Sequence, residues 1–208
     1  MDKDHLISRR SFIKTASLIG SGFAIGFNFL QAKRELNSEF SPNMYINVLS
    51  DDTVVLSVSK AEMGQGIWTS LPMLIAEEME VDWGKVKVQQ ISKDNFIGTG
   101  GSMSISGYGW EKMREAGAVA KQVLIDSAAL KWKVSPVECV AKNSVVYHQK
   151  TRRSTSFGSL VDKASKVKIP KRVRLKKPSE FNLLGKDMLR TDSKIKVDGT
   201  ALFSMDKH

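Results

Sequence analysis

The chain has 208 residues, which is enough for one domain or two small ones with a buried core. Its formal net charge of +10 comes from six Lys/Arg against two Asp in residues 1 to 34 and eight against none in residues 163 to 177, while residues 35 to 162 carry thirteen against fifteen acids and 178 to 208 balance five against five. The excess therefore belongs to a leader and one linker-like patch, and without a basic helix carrying interleaved aromatics a dedicated nucleic-acid binder is set aside.

The single cysteine, Cys139, excludes an intrachain disulfide and a cysteine metal cluster, and reads as a buried apolar thiol. His5, His148 and His208 are too scattered to build a histidine metal site.

Residues 8 to 30, SRRSFIKTASLIGSGFAIGFNFL, have a charged start followed by a Gly/Ser-rich apolar stretch, the layout of an export signal. The pattern S-R-R-x-F-I-K resembles a twin-arginine signal, with Arg9 and Arg10 as the paired arginines and Phe12 and Lys14 in the accompanying positions. Such a signal implies the twin-arginine export machinery and a periplasmic product. The bland alternative is an ordinary amphipathic helix behind chance basic residues. The apolar stretch from Thr15 to Leu30 has 16 residues, short of the roughly 20 that span a bilayer. No clear small-x-small cleavage site follows, so an uncleaved anchor in the inner membrane stays open.

Residues 35 to 43 are polar and read as a linker. MYINVLS (44 to 50) and TVVLSVS (53 to 59) alternate and are rich in β-branched residues, with Asp51 and Asp52 between them, which predicts a hairpin. From Ile67 the period changes: Ile67, Leu71, Leu74, Ile75 and Met79 form a helical stripe, with Thr69 or Ser70 as N-cap and Pro72 in a first turn. KVKVQQI (85 to 91) alternates again as a strand, and residues 95 to 109, with five glycines, read as a loop. A long helix follows to about Lys133, with Ala116, Gly117, Ala118 and Ala120 small enough for close approach to another element. SPVECVA reads as a short helix with Ser135 as cap and Pro136 at its first position, SVVYHQ (144 to 149) as a strand, and residues 158 to 166 as one more helix. The basic stretch KVKIPKRVRLKKP reads as a solvated linker, with docking of an acidic partner as the alternative. The order β-β-α-β-loop-α-β defines an α+β domain with two glycine-rich corners.

At the first corner, KAEMGQGIWTSLP (60 to 72), Gly64 and Gly66 free the backbone for dihedrals and close approaches that other residues resist, and Gln65 offers amide donors and an acceptor. Free N–H groups at the following helix start would make the corner a seat for an anion or polar heterocycle. The second corner, GTGGSMSIS, repeats that logic with Gly101, Ser102 and Ser104. Two such seats side by side suit a large phosphate-bearing ligand with a hydrogen-bonding ring system. A bare G-x-G is more often only a turn.

The wording EMGQGIWTSLPMLIAEEMEVDW followed by TGGSMSISGYGWEKMREAGAVAKQVL resembles the molybdopterin-binding subunit of the xanthine dehydrogenase and aldehyde oxidoreductase family, and within it the large, β-type subunits of isoquinoline 1-oxidoreductase-like enzymes. The likeness runs along most of residues 44 to 208, and LLGKDMLRTDSKIKVDGTALFSMD (183 to 206) looks like the opening of that family's hammerhead-type α/β domain. It divides the chain into a twin-arginine leader (1 to 34), a linker (35 to 43), a molybdopterin-binding segment (44 to 150), a basic linker region (151 to 182) and the start of a hammerhead domain (183 to 208). The resemblance implies a molybdenum-bearing molybdopterin cytosine dinucleotide. Gly64, Gln65 and Gly66 would hold its pterin or oxo side through backbone N–H groups and the Gln amide, and Gly101, Ser102 and Ser104 its pterin and phosphate portion. Glu62 is not at the family's catalytic position and reads as a solvated or loop-bracing residue. Glu77 and Glu78 read as a helix's polar face rather than an acid/base dyad.

The implied reaction is oxidation of an aldehyde or hydroxylation of an N-heterocycle. Metal-activated water supplies the nucleophile, a glutamate takes its proton, and electrons leave through a small iron–sulfur subunit to an acceptor such as a cytochrome. In the family that glutamate lies near the C-terminus, beyond the region matched here. The expectation is therefore an N-terminal part of a large subunit, inactive alone. The alternatives are a cofactor-free exported binding module and a non-functional truncated remnant.

Overall fold

The computed structural model describes residues 22–25, 45–90, 103–202 and 206. Strands β1 (Gly22–Ile25), β2 (Ile46–Leu49), β3 (Val54–Val58) and β4 (Val86–Gln90) form one sheet in that order. The expected hairpin is β2–β3: Asp51 Oδ1 accepts from Thr53 N at 2.9 Å, and Asp52 takes a left-handed φ of 69° to close the turn. Alternation buries Ile46, Val48, Val54 and Leu56 on one face. The four residues of β1, which fall inside the apolar leader stretch, pair antiparallel with β2, Ile25 opposite Ile46.

Helix α1 (Ile67–Met79) carries the chain from β3 back to β4, which lies parallel to β3 with Val54 opposite Val86 and Val58 opposite Gln90. This β-α-β crossover makes the sheet mixed. Helix α2 (Met103–Ser106) leads into the long α3 (Tyr108–Trp132), so the second half of the stretch expected as a loop is helical. Gly117 explains how α3 packs so closely on α1: a Cβ there would stand 2.3 Å from the carbonyl oxygen of Ile75. Leu74, Ile75, Met79 and Leu124 are fully buried between these helices and the sheet, each contributing about 1.5–3 kcal/mol.

A second, antiparallel sheet holds β5 (Cys139–Lys142), β6 (Val145–His148) and β7 (Arg153–Ser156). Asn143 and Ser144 between β5 and β6 are both left-handed, the primed turn that suits a tight hairpin. The SPVECVA segment is a single 3-10 turn, Pro136–Glu138, running straight into β5 rather than a helix. Residues 158 to 166 give a 3-10 turn and the short α4 (Val161–Ala164). One continuous core joins both sheets to α1 and α3.

Two local expectations change. Helix α1 is capped by Gly66, left-handed at φ 80°, and not by Thr69 or Ser70. Pro72 consequently sits inside the helix, where it removes one i→i−4 bond and leaves Trp68 O unserved by the helix; the Thr191 hydroxyl donates to that carbonyl at 3.2 Å. Residues 163 to 177 are not uniformly solvated, since the side chain of Lys176 is only 8% exposed. Beyond them come a 3-10 turn, Pro178–Glu180, and helix α5 (Ser193–Val197). Among the described residues no helix is long and apolar enough to cross a membrane.

Candidate functional site

Because β3 and β4 are parallel neighbours, the chain leaves them, after Val58 and after Gln90, at the same carboxyl edge, where ligands of open α/β sheets gather. Ser59 and Lys60, on the stem of the first corner, line a cavity of about 20 Å³ together with Pro72, Gly109 and Met113. That volume holds about one water. The stem of the first corner and the start of α3 thus face each other across this space.

The first corner is built around Glu62. Its Oε1 accepts from Gly64 N at 2.8 Å and Gly66 N at 3.0 Å, and its Oε2 accepts from Trp68 N, in the first turn of α1, at 3.1 Å. A side chain six residues upstream therefore does the work of the missing N-cap, and its charge sits favourably at the positive end of the helix. Gln65 is folded back: its Oε1 accepts from Met63 N at 2.6 Å and its Nε2 donates to Ala61 O at 2.9 Å. Burial of the Glu62 carboxylate, 6% exposed, pushes its pKa up, but the N–H groups of Gly66, Trp68 and Gly64 and the Arg190 guanidinium outweigh this and hold it below the ordinary carboxylate value.

Arg190 completes the corner from the other end of the described chain. Its Nη1 donates to Gly64 O at 2.7 Å and its Nη2 to Glu62 Oε1 at 3.0 Å, while Nε and Nη2 grip Asp192 at 3.0 and 2.9 Å. The next residue, Thr191, donates its N–H to Thr69 Oγ1 at 3.0 Å. Arg190 and Asp192 lie in the stretch GKDMLRTD (185 to 192), so that stretch touches the first glycine corner directly.

At the far end of α1, Glu77 and Glu78 are neither a solvated polar face nor an acid/base pair. Both are buried, and both receive the backbone of the returning chain. Glu77 accepts from the N–H groups of Asn182, Leu183 and Leu184 at 2.7 to 3.1 Å and from Lys176 Nζ at 2.5 Å. Glu78 accepts from Lys176 N at 3.0 Å and from Arg114 Nε at 2.8 Å. The Arg114 guanidinium lies 5.1 Å from the ring centres of both Trp110 and Phe181. Lys176 also pairs with Glu80 at 2.6 Å.

Of the sequence-derived site residues, Gly64, Gln65 and Gly66 form one corner; Gly101 and Ser102 lie outside the described residues; Ser104 has a backbone place in α2. Arg9, Arg10, Phe12 and Lys14 also lie outside them. Sequence reasoning missed Arg190, Asp192 and Lys176 as partners. A usable signal existed for the acids: α1 is apolar on nearly every side, so two glutamates near its end have no polar face to occupy and need buried partners. Among the described residues no group of three or more His, Cys, Asp or Glu side chains is placed to hold a metal ion.

Residues 7–198 match the family described as the molybdopterin cofactor-binding domain, and the chain belongs to that family. It is 30% identical to the isoquinoline 1-oxidoreductase subunit beta of Brevundimonas diminuta across 96% of its own length and 32% of that protein's. It is also 30% identical to the membrane-bound aldehyde dehydrogenase [pyrroloquinoline-quinone] of Gluconacetobacter polyoxogenes, over 96% of this chain and 28% of that one. The chain thus spans about a third, or less, of the curated relatives it matches. Among solved structures, quinoline 2-oxidoreductase from Pseudomonas putida 86 aligns at TM-score 0.46 and 16% identity over 67% of this chain and 18% of that one. The CO dehydrogenase from Oligotropha carboxidovorans aligns at 0.44 and 18%, over 55% and 15%. Family membership rests on the sequence matches.

The described residues fit the family's cofactor in one respect and not in another. A ring system fits, because no atom lies within 4 Å of where a Cβ would stand on Gly64 or Gly66, leaving the backbone open to close approach. An anion aimed at the Gly64 and Gly66 amides does not fit, because the Glu62 carboxylate already takes them. The expected amide cradle is in this respect corrected: the donors at this corner are turned inward.

Proposed function

We propose that this chain is the pterin-binding, N-terminal part of a molybdenum hydroxylase large subunit that oxidises an aldehyde or hydroxylates an N-heterocycle. Family membership across residues 7–198 is the observation that carries this reading. The backbone of Gly64 and Gly66 would hold the cofactor's ring system, and Gly101, Ser102 and Ser104 would take its pterin and phosphate portion, with cytosine dinucleotide as the form bound. When bound, the molybdenum supplies water acidic enough to act as nucleophile near neutral pH. What these residues do is hold and orient: glycines give contact without steric bulk, and hydroxyls and amides at the second corner satisfy phosphate oxygens. The proton-accepting glutamate and the iron–sulfur subunit lie on other parts of the assembly, so the chain by itself turns over nothing. The leader directs a periplasmic location through the twin-arginine route.

The test is molybdenum, pterin and cytidine nucleotide analysis of the protein produced in a cell that makes the cofactor. About one of each per chain is the expected result, and activity toward aldehydes against N-heterocycles in the complete assembly then assigns the substrate class. One observation favours a second reading, a cofactor-free binding module: the inward-turned amides are satisfied without any ligand. That module carries neither molybdenum nor pterin under the same conditions.

A further inference from the structure

We infer that Arg190 is a positioning residue for the first glycine corner, shaping residues 62 to 68 for the cofactor; this rests on the cofactor-binding reading above. Gly64 and Gly66 sit at φ 102° and 80°, conformations that cost glycine little, but glycine holds no single conformation by itself. Their shape has to be imposed from outside. Glu62 imposes part of it, through three backbone N–H groups, but a carboxylate that is almost wholly buried needs a compensating cation. Arg190 supplies that cation at 3.0 Å and at the same time takes the Gly64 carbonyl at 2.7 Å. Gly64 is therefore held on both sides, its N–H on Glu62 and its C=O on Arg190.

The guanidinium is oriented before it meets the loop. Asp192 grips it through two nitrogens, and Lys196 pairs with Asp192 in turn. This is fork chemistry that an ammonium cannot copy, because the four contacts need fixed planar donors pointing in different directions. Docking of the returning chain does not depend on Arg190: Thr191 is bonded to Thr69 and Trp68, and the amides of Asn182, Leu183 and Leu184 are bonded to Glu77. The role of Arg190 is therefore separable from that of its segment.

The test compares amide hydrogen exchange in the full wild-type chain, Arg190→Gln and Arg190→Lys, and measures molybdenum and pterin content after production in a cofactor-making host. In Arg190→Gln the amides of Gly64, Gly66 and Trp68 exchange about tenfold faster or more, while those of Asn182, Leu183 and Leu184 stay within about twofold of wild type. Arg190→Lys behaves like Arg190→Gln, and molybdenum and pterin content fall about tenfold in both. Unchanged exchange at residues 64 to 68 overturns the inference. Equal acceleration at residues 182 to 184 overturns it too, since the segment would then be undocking as a whole. So does full molybdenum and pterin loading in a variant whose corner has loosened, or wild-type behaviour in Arg190→Lys. A wild-type chain lacking both molybdenum and pterin refutes the proposed function instead, and the exchange pattern alone then decides whether Arg190 shapes the corner.

Discussion

The carboxylates of Glu62, Glu77 and Glu78 accept backbone N–H groups while almost wholly removed from solvent. Glu77 collects three amides and an ammonium at zero side-chain exposure. Glu77→Ala leaves that ammonium buried and those amides without an acceptor, and should lower unfolding free energy by about 3–5 kcal/mol in urea titration. The exposed Arg174–Glu180 pair provides the control: Arg174→Ala is expected to leave the urea midpoint nearly where it is. Gly117 is the opposite kind of residue, important for what it lacks. Gly117→Ala forces α3 away from Ile75 O and should cost about 1–3 kcal/mol by the same measurement, despite the better helix propensity of alanine.

At the scale of elements, α1 is shaped by a chain segment more than a hundred residues downstream. Thr191 repairs the bond that Pro72 breaks, and Thr191→Val should therefore destabilise by about 0.5–1.5 kcal/mol, an effect that Pro72→Ala, which restores a donor to Trp68 O, partly relieves in the double variant. The hairpin β2–β3, helix α1, strand β4 and the long α3 were legible because each carries a periodicity in its own residues. The small residues of α3 were legible as a close-approach surface for the same reason. The start of α1 was misplaced because its cap is the side chain of Glu62, which no cap preference near Thr69 reveals. The returning segment from Lys176 to Thr191 was illegible as structure: it has little periodicity, and its order comes from acceptors on α1 that lie 98 to 123 positions away in sequence. Of the site, the glycine corner could be read from its wording, but the direction of its amides could not, since that depends on whether the neighbouring acid points in or out.

For the whole molecule, the same carboxylates tie stability to pH. Burial opposes ionisation of Glu62 and Glu77, but their donors prevail and both pKa values lie below ordinary; that of Asp192 is lowered by Arg190 and Lys196. The unfolded chain therefore binds more protons than the folded one in acid, so this stability is fully present above the ordinary carboxylate pKa of about 4.3 and is lost as pH falls through the folded values. Urea unfolding from about pH 6 down to about pH 3 should show a steep decline that flattens in Glu62→Gln/Glu77→Gln. Lys176 works in the other direction: burial lowers its pKa, Glu77 and Glu80 more than reverse this, and its contribution fades only in strong alkali, as pH climbs through its raised value.

The returning segment also behaves as a splint laid along α1, fastened beside Glu77 at one end and beside Trp68 and Thr69 at the other. Between the fastenings, Gly185, Lys186 and Asp187 are exposed, and Leu189 is 86% exposed. A single proteolytic nick after Lys186 would cut the splint without unfastening either end. The released C-terminal piece, bearing Arg190 and Thr191, should co-elute with the body of the protein, and the salt concentration at which it finally departs would gauge the grip of the glycine corner.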